Sequence, residues 1–157
     1  MQKTIALSYE VVEIQALSAE ETALKNAAES AIEKAYAPYS NFKVGCSVLL
    51  ENGEIVHAAN QEVAAYPVCI CAEGSALSMA SGLFPTVAVK ALFVTAKNTK
   101  GMAYGAAPCG VCRQRIVEYE QRFGQSIKIY FPESENHLVK FNQAKDLLPF
   151  SFTGANL

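Results

Sequence analysis

The sequence predicts an α/β protein, a sheet with both faces covered by helices. Three observations carry this. Asn52-Gly53 separates two apolar runs, Phe42–Leu50 and Ile55–Ala59, and Asn-Gly in that setting is the strongest short hairpin signal. Val87–Ala96 is almost continuously apolar, as expected of a central strand buried on both faces. Beyond the hairpin, strand-like and helix-like segments alternate, which layers helices on a sheet.

Taken in order, Ile5, Leu7, Tyr9 and Val11 alternate with smaller or polar residues and predict an N-terminal strand. Ser18-Ala19-Glu20-Glu21 is a capping box, in which Ser18 caps a helix and Glu21 reaches back. Leu24, Ala27, Ala28, Ile32 and Ala35 form one apolar face of that helix, and Pro38 ends it. Phe42, Val44, Cys46, Val48 and Leu50 then alternate into the hairpin. Cys71–Ser81 predicts a second helix, stopped by Gly82, and Cys109–Phe123 a third, closed by Gly124. Ile127–Phe131 predicts a strand ended by Pro132. A short strand follows near Leu138-Val139, before Leu147-Leu148-Pro149. There is no repeat, linker or low-complexity stretch.

A chain of 157 residues fits one domain, 1–157, with a real hydrophobic core. A formal charge of −2 leaves no electrostatic footprint for a polyanion and argues against a nucleic-acid partner. The first ten residues lack a long apolar segment, and no run approaches a membrane span. The expectation is a soluble cytoplasmic protein with no membrane partner. Of the five cysteines, thiolate ligation by three of them fits a reducing compartment. Cys46 and Cys69 read as small buried hydrophobes, although Cys69-Ile70-Cys71 also allows Cys69 to compete with Cys71 for a metal.

The chemistry concentrates in Cys71-Ala72-Glu73 and Pro108-Cys109-Gly110-Val111-Cys112. Both clusters open predicted helices, where free N–H groups and the helix dipole favour thiolate. Cys109 and Cys112 share a helix face. If the strands leading into the two helices are parallel, all three thiols meet at one end of the sheet. Three protein ligands fill three corners of a zinc tetrahedron and leave the fourth for water. Glu73, two residues from a ligand, is the candidate proton shuttle for that water. A closed structural zinc site would instead need a fourth ligand, for which His57, His137 and Cys69 are the candidates. A disulfide without metal is a further alternative.

The paired clusters resemble the signature of zinc deaminases. Across about Tyr36 to Phe152 the chain resembles the small homotetrameric cytidine deaminases of nucleoside salvage. The resemblance rests on Tyr39-Ser40-Asn41-Phe42-Lys43-Val44-Gly45, Asn60-Gln61-Glu62, Ala65-Tyr66-Pro67 before Cys71-Ala72-Glu73, Pro108–Gln114, and the ending Leu147-Leu148-Pro149-Phe150-Ser151-Phe152. It implies a three-layer α/β/α sandwich around a five-stranded mixed sheet, with residues 1–16 as a family-variable stretch. It implies one Zn²⁺ per chain on Cys71, Cys109 and Cys112. A zinc-activated water would attack C4 of cytidine or deoxycytidine, with Glu73 shuttling protons, to give uridine or deoxyuridine and ammonia. Asn60 and Glu62 would hydrogen-bond the ribose 3′-hydroxyl, which leaves no exit for a 3′-phosphate and so disfavours nucleic-acid editing. Phe42 would line the base pocket, and Ala72 would be a further substrate contact. Tyr66 and Phe152 would complete a neighbouring subunit's site in a homotetramer.

Two departures from the family pattern stand out. Gly74 occupies the place of the arginine in the family's C-A-E-R, a counter-ion to the zinc thiolates. Cys69 stands where the family has a small residue. Arg113 is the candidate replacement cation, with the alternatives that it only tethers the C-terminal tail or an interface, or that helix amides alone compensate. The departures also keep open a related aminohydrolase acting on a blasticidin-like nucleoside, guanine or a modified cytidine. A non-catalytic zinc protein is the remaining alternative.

Overall fold

The computed structural model describes residues 1–157. The elements are β1 (Glu10–Glu13), α1 (Ala19–Ala31), β2 (Lys43–Leu50), β3 (Ile55–Ala59), α2 (Ala72–Leu83), β4 (Val89–Asn98), β5 (Gly101–Met102), α3 (Gly110–Phe123), β6 (Lys128–Pro132) and β7 (His137–Phe141). They form one mixed sheet in the order β1-β7-β6-β4-β2-β3, with β5 paired to β4. All pairs are antiparallel except β4–β6.

The sheet therefore has seven strands rather than the expected five. The two additions are β1, at the edge beside β7, and the two-residue β5, which pairs with the last residues of the interior strand β4. β1 covers the otherwise open edge of β7, and Lys140 Nζ pairs with Glu10 at 3.1 Å across that ladder. The N-terminal strand is shorter than predicted because β7 spans only His137–Phe141. Ile5 and Leu7 have no ladder to join and stay exposed, while Tyr9 stacks on Phe141 at 5.7 Å.

Alternation sorts β2 between two cores. Cys46, Val48 and Leu50 join the larger cluster under α2 and α3, while Leu49 joins the smaller one under α1. Helices thus cover both faces, as predicted. On the α1 face, a Cβ on Gly45 would overlap the Ala28 carbonyl oxygen, so only glycine lets this helix approach β2 so closely. The Ser18–Glu21 capping box forms as expected, with Ser18 N donating to Glu21 Oε2 at 2.9 Å. α1 ends at Ala31 and tightens into a 3₁₀ turn, Ile32–Lys34, before Pro38.

Gly82 does not stop α2, which runs through it to Leu83. The stop is Pro85, which disfavours helical backbone at Phe84, the C-cap, at φ −134° and ψ 65°. Gly124 does close α3, at φ 64°. β2 is antiparallel to both β3 and β4, so β3 and β4 run the same way. The helices that follow them, α2 and α3, begin at the same end of the sheet.

Candidate active site and metal centre

Cys71 and Cys109 are the N-cap residues of α2 and α3, and neither side chain caps its own helix. Cys112 lies on the first turn of α3. The three Sγ atoms lie within 4.8 Å of one another, and Cys71 and Cys109 are 4.0 Å apart. Zinc–sulfur bonds of about 2.3 Å in a tetrahedron require sulfurs ~3.8 Å apart, so this trio fits zinc with little adjustment. It is the group of ligand-type side chains close enough to hold a metal.

The other ligand candidates lie elsewhere. His57 Nε2 is 3.2 Å from Lys34 Nζ, and His137 Nδ1 is 3.2 Å from Ser134 Oγ. Cys69 Sγ accepts from Val63 N at 3.2 Å and lines the cavity wall outside the trio. Cys46 is fully buried, as read from sequence, and burial pushes its thiol pKa well up. All five cysteines are free.

Thiol acidity is divided unevenly in the trio. A hydrogen bond with Cys112 holds Cys71 down at about 6, against burial and the Glu73 charge, with help from Cys109 and Arg115. The same bond, with burial, pushes Cys112 up. Glu73, one residue into α2, is buried beside them. Burial raises its carboxyl pKa, and Cys112 and Arg115 partly oppose the rise. A buried carboxyl with a raised pKa holds a proton more readily than a free one, as a proton shuttle must.

A cavity of about 470 Å³ opens in front of the trio. Cys71, Ala72, Glu73 and Cys109 form its metal end, and Phe42, Asn60, Glu62 and Tyr66 line the remainder. Mostly apolar walls with a few convergent polar groups are the usual character of a small-molecule site. Asn60 grips β2 through both ends of its amide: Oδ1 accepts from Val44 N at 2.8 Å and Nδ2 donates to Phe42 O at 3.0 Å. Glu62 accepts from Tyr39 N at 2.9 Å, from Ser40 N at 3.3 Å and from Ser40 Oγ. The Ser40 hydrogen bond leads the causes that lower its pKa. Tyr66 meets Tyr39 edge-on at 5.9 Å.

Phe152 is the one expected contact residue that does not reach this chain's own cavity. It is 59% exposed, and its carbonyl accepts from Gln114 Nε2 at 2.7 Å. Sequence reasoning missed Val94, Ala96, Ala106 and Ala107, small or apolar wall residues with no chemical signature.

The candidate cation also needs correction. Arg113 turns from the sulfurs onto backbone carbonyls, donating from Nε to Pro108 O at 2.7 Å and from Nη1 to Leu147 O at 3.0 Å. Two free carbonyls within reach outcompete the thiols, so Arg113 tethers the C-terminal tail. The guanidinium beside the missing side chain of Gly74 belongs to Arg115. A Cβ on Gly74 would overlap Arg115 Nη1 and stand 3.2 Å from its Cζ.

Residues 17–123 match the family model described as the cytidine and deoxycytidylate deaminase zinc-binding region. A cytidine deaminase from Sporosarcina psychrophila is 37% identical over 131 residues, 82% of this chain and 88% of that one. One from Mycobacterium tuberculosis is 31% identical over 129 residues, 82% and 86% of the two chains. Among solved structures, cytidine deaminase from Burkholderia pseudomallei superposes with a TM-score of 0.67 at 35% identity, over 83% of this chain and 98% of that one. The fold and the site thus define a zinc-binding deaminase of the α/β class. The chain belongs to the cytidine and deoxycytidylate deaminase family, and zinc is its cofactor.

Proposed function

We propose that the chain hydrolyses cytidine and deoxycytidine to uridine and deoxyuridine plus ammonia. One observation carries this reading: the buried Glu73 carboxyl lines one nucleoside-sized cavity with Cys71 and Cys109, and Cys112 completes the sulfur trio beside them. Cys71, Cys109 and Cys112 would hold the zinc, which would supply a water acidified to about pKa 7. Glu73 takes a proton from the attacking water and delivers it to N3 of the pyrimidine. It then takes the second proton of that water from the new C4 hydroxyl and passes it to the departing amino group. Oxygen ends on C4, nitrogen leaves as ammonia, and no redox partner is needed.

Phe42 and Ala72 hold the base. Asn60 and Glu62 take the ribose hydroxyl with the hydrogen-bonding capacity that their contacts to β2 and the Tyr39-Ser40 turn leave spare. The 157 residues act as one domain, with residues 1–16 as an addition to the family pattern. The chain works in the cytoplasm in pyrimidine salvage as a homotetramer. Exposure of Tyr66 at 65%, Phe150 at 94% and Phe152 at 59% supports the assembly, and Tyr66 and Phe152 then complete neighbouring sites.

The test is ammonia release against nucleosides, free bases and nucleotides, with zinc measured on the same sample. Turnover of cytidine and deoxycytidine at one zinc per chain is expected. Zinc with no turnover on the whole panel would overturn the reading, and preference for guanine or a modified nucleoside would replace the substrate.

A further inference from the structure

Three thiolates on a divalent cation carry a net negative charge. Such a cluster is steadied by a cation close by, and its Cys112 is buried while Cys71 and Cys109 are exposed. The ion pairs of the molecule are all made by lysines, far along the chain from the cysteines. The arginine hydrogen bonds are made by Arg113 and Arg122, to partners other than sulfur. Arg115 is the remaining arginine, and its guanidinium is committed to neither a carboxylate nor a carbonyl.

Its position is set by two helix registers. Cys71 precedes α2, and Gly74 stands three residues beyond it. Arg115 stands three residues beyond Cys112 in α3, so each shares a helix face with a cysteine of the trio. The Arg115 side chain crosses the seam between α2 and α3 and lays its guanidinium on the Gly74 backbone. The guanidinium thus lies against a buried residue three positions from Cys71, although Arg115 as a whole is exposed. Any Cβ at residue 74 would occupy the space that the guanidinium fills. Apart from Arg115, the nearest atom to that Cβ would be Ile70 Cγ2 at 3.7 Å, an ordinary contact.

We infer that Arg115 is the cation that balances the zinc–thiolate cluster, and that residue 74 is glycine because the guanidinium occupies its side-chain space. Arg115 is a positioning residue: it acts through the thiolates and touches no substrate. The inference rests on Cys71, Cys109 and Cys112 being the zinc ligands.

The experiment measures zinc affinity by competition with a chromophoric chelator, beside the thermal midpoint of each metal-free protein. Arg115→Ala should weaken zinc by about 10–100-fold, the range for loss of a partner outside the ligand set, with the metal-free midpoint unchanged. Gly74→Ala leaves every charge in place but displaces the guanidinium, and should weaken zinc in the same direction. Arg115→Ala with Gly74→Arg returns a guanidinium to the same space from the other helix, and should recover most of the loss. Zinc affinity in Arg115→Ala within about twofold of the parent would overturn the inference, because an outer partner is worth at least about tenfold. Failure of the double variant to improve on Arg115→Ala would also overturn it, since packing rather than charge would then explain the loss. Should Arg115→Ala not fold, Gly74→Ala decides, and unchanged affinity there counts against the inference. If the parent retains no zinc, or retains it after Cys109→Ser, the ligand assignment fails instead.

Discussion

Asn60 bridges the start of β2, with its Nδ2 donating to Phe42 O at 3.0 Å while its Oδ1 accepts from Val44 N at 2.8 Å. One side chain thus fixes the backbone on both sides of Lys43 and aims Phe42 into the cavity. Asn60→Ala removes both bonds and leaves a part-buried N–H and C=O unpaired. Removing the partner of a buried group costs about 1–3 kcal/mol. The variant should show that loss in urea unfolding, together with a raised KM for cytidine. A loss of affinity with unchanged stability would mean that Asn60 acts on the ligand alone.

Glu73→Gln keeps the shape of the side chain and removes its capacity to carry a proton. Turnover should fall by at least about 10²-fold, the lower range for general acid–base catalysis. Zinc content should stay at the parental level, because Glu73 is outside the sulfur trio. Single-turnover kinetics with parallel metal analysis separates the two quantities.

The same substitution should stabilise the metal-free protein. Burial raises the Glu73 pKa above its ordinary 4.5. A carboxyl raised on folding favours the folded state only while protonated, so its contribution is present below the unfolded value and is lost as pH rises through the folded one. At neutral pH, above the unfolded value, the folded parent therefore bears the cost of keeping this carboxyl in a desolvated place. Metal-free Glu73→Gln should unfold at higher urea than the metal-free parent at pH 7, and the gap should close below about pH 4.5. A gap independent of pH would show that ionisation is not its source.

Much of this was legible from residue order. The Asn52-Gly53 hairpin, the β4 run and the Gly124 stop are local signals, and each forms where its chemistry places it. The two cysteine clusters were legible because ligand spacing within a helix turn is itself local. What escaped depended on tertiary partners. Gly82 looks like a helix end, but only the left-handed backbone makes glycine one, and Pro85 acts first. β5 is two residues long and exists through its pairing with β4. Arg113 and Arg115 are indistinguishable in sequence, and the carbonyls of Pro108 and Leu147 decide which of them is free for the cluster.

Tyr130 and Glu21 join α1 to β6 through a 2.5 Å hydrogen bond from the phenol to Glu21 Oε1. Burial raises the Glu21 pKa, but hydrogen bonds from Tyr130 and Ser18 outweigh it, and the net shift is downward from 4.5. A carboxyl lowered on folding stabilises above its unfolded pKa, and that contribution is lost as pH falls through the folded value. Acid should therefore weaken the parent more than Tyr130→Phe below about pH 4.5, because the variant has already lost part of the lowering. Equal acid sensitivity in the two proteins, followed by circular dichroism, would show that this bond does not contribute.

Phe152 provides a test of shared sites that needs no structure of the assembly. It does not line its own chain's cavity, and its carbonyl is held on α3 by Gln114. If Phe152 closes a neighbour's pocket, Phe152→Ala damages the neighbour's site and Glu73→Gln damages the chain's own. Each homomeric variant then has every site defective. In a mixed tetramer made by co-expression, a chain carrying Phe152→Ala still has an intact Glu73, and a Glu73→Gln neighbour still supplies an intact Phe152. Where these two meet, one site is whole. Co-expressed chains should therefore be more active than the sum of the two separate variants, while separately purified and freshly mixed proteins should gain only as fast as subunits exchange. Activity no greater than that sum in a verified mixed tetramer would place Phe152 outside the neighbouring site, because chains that share nothing cannot complement one another.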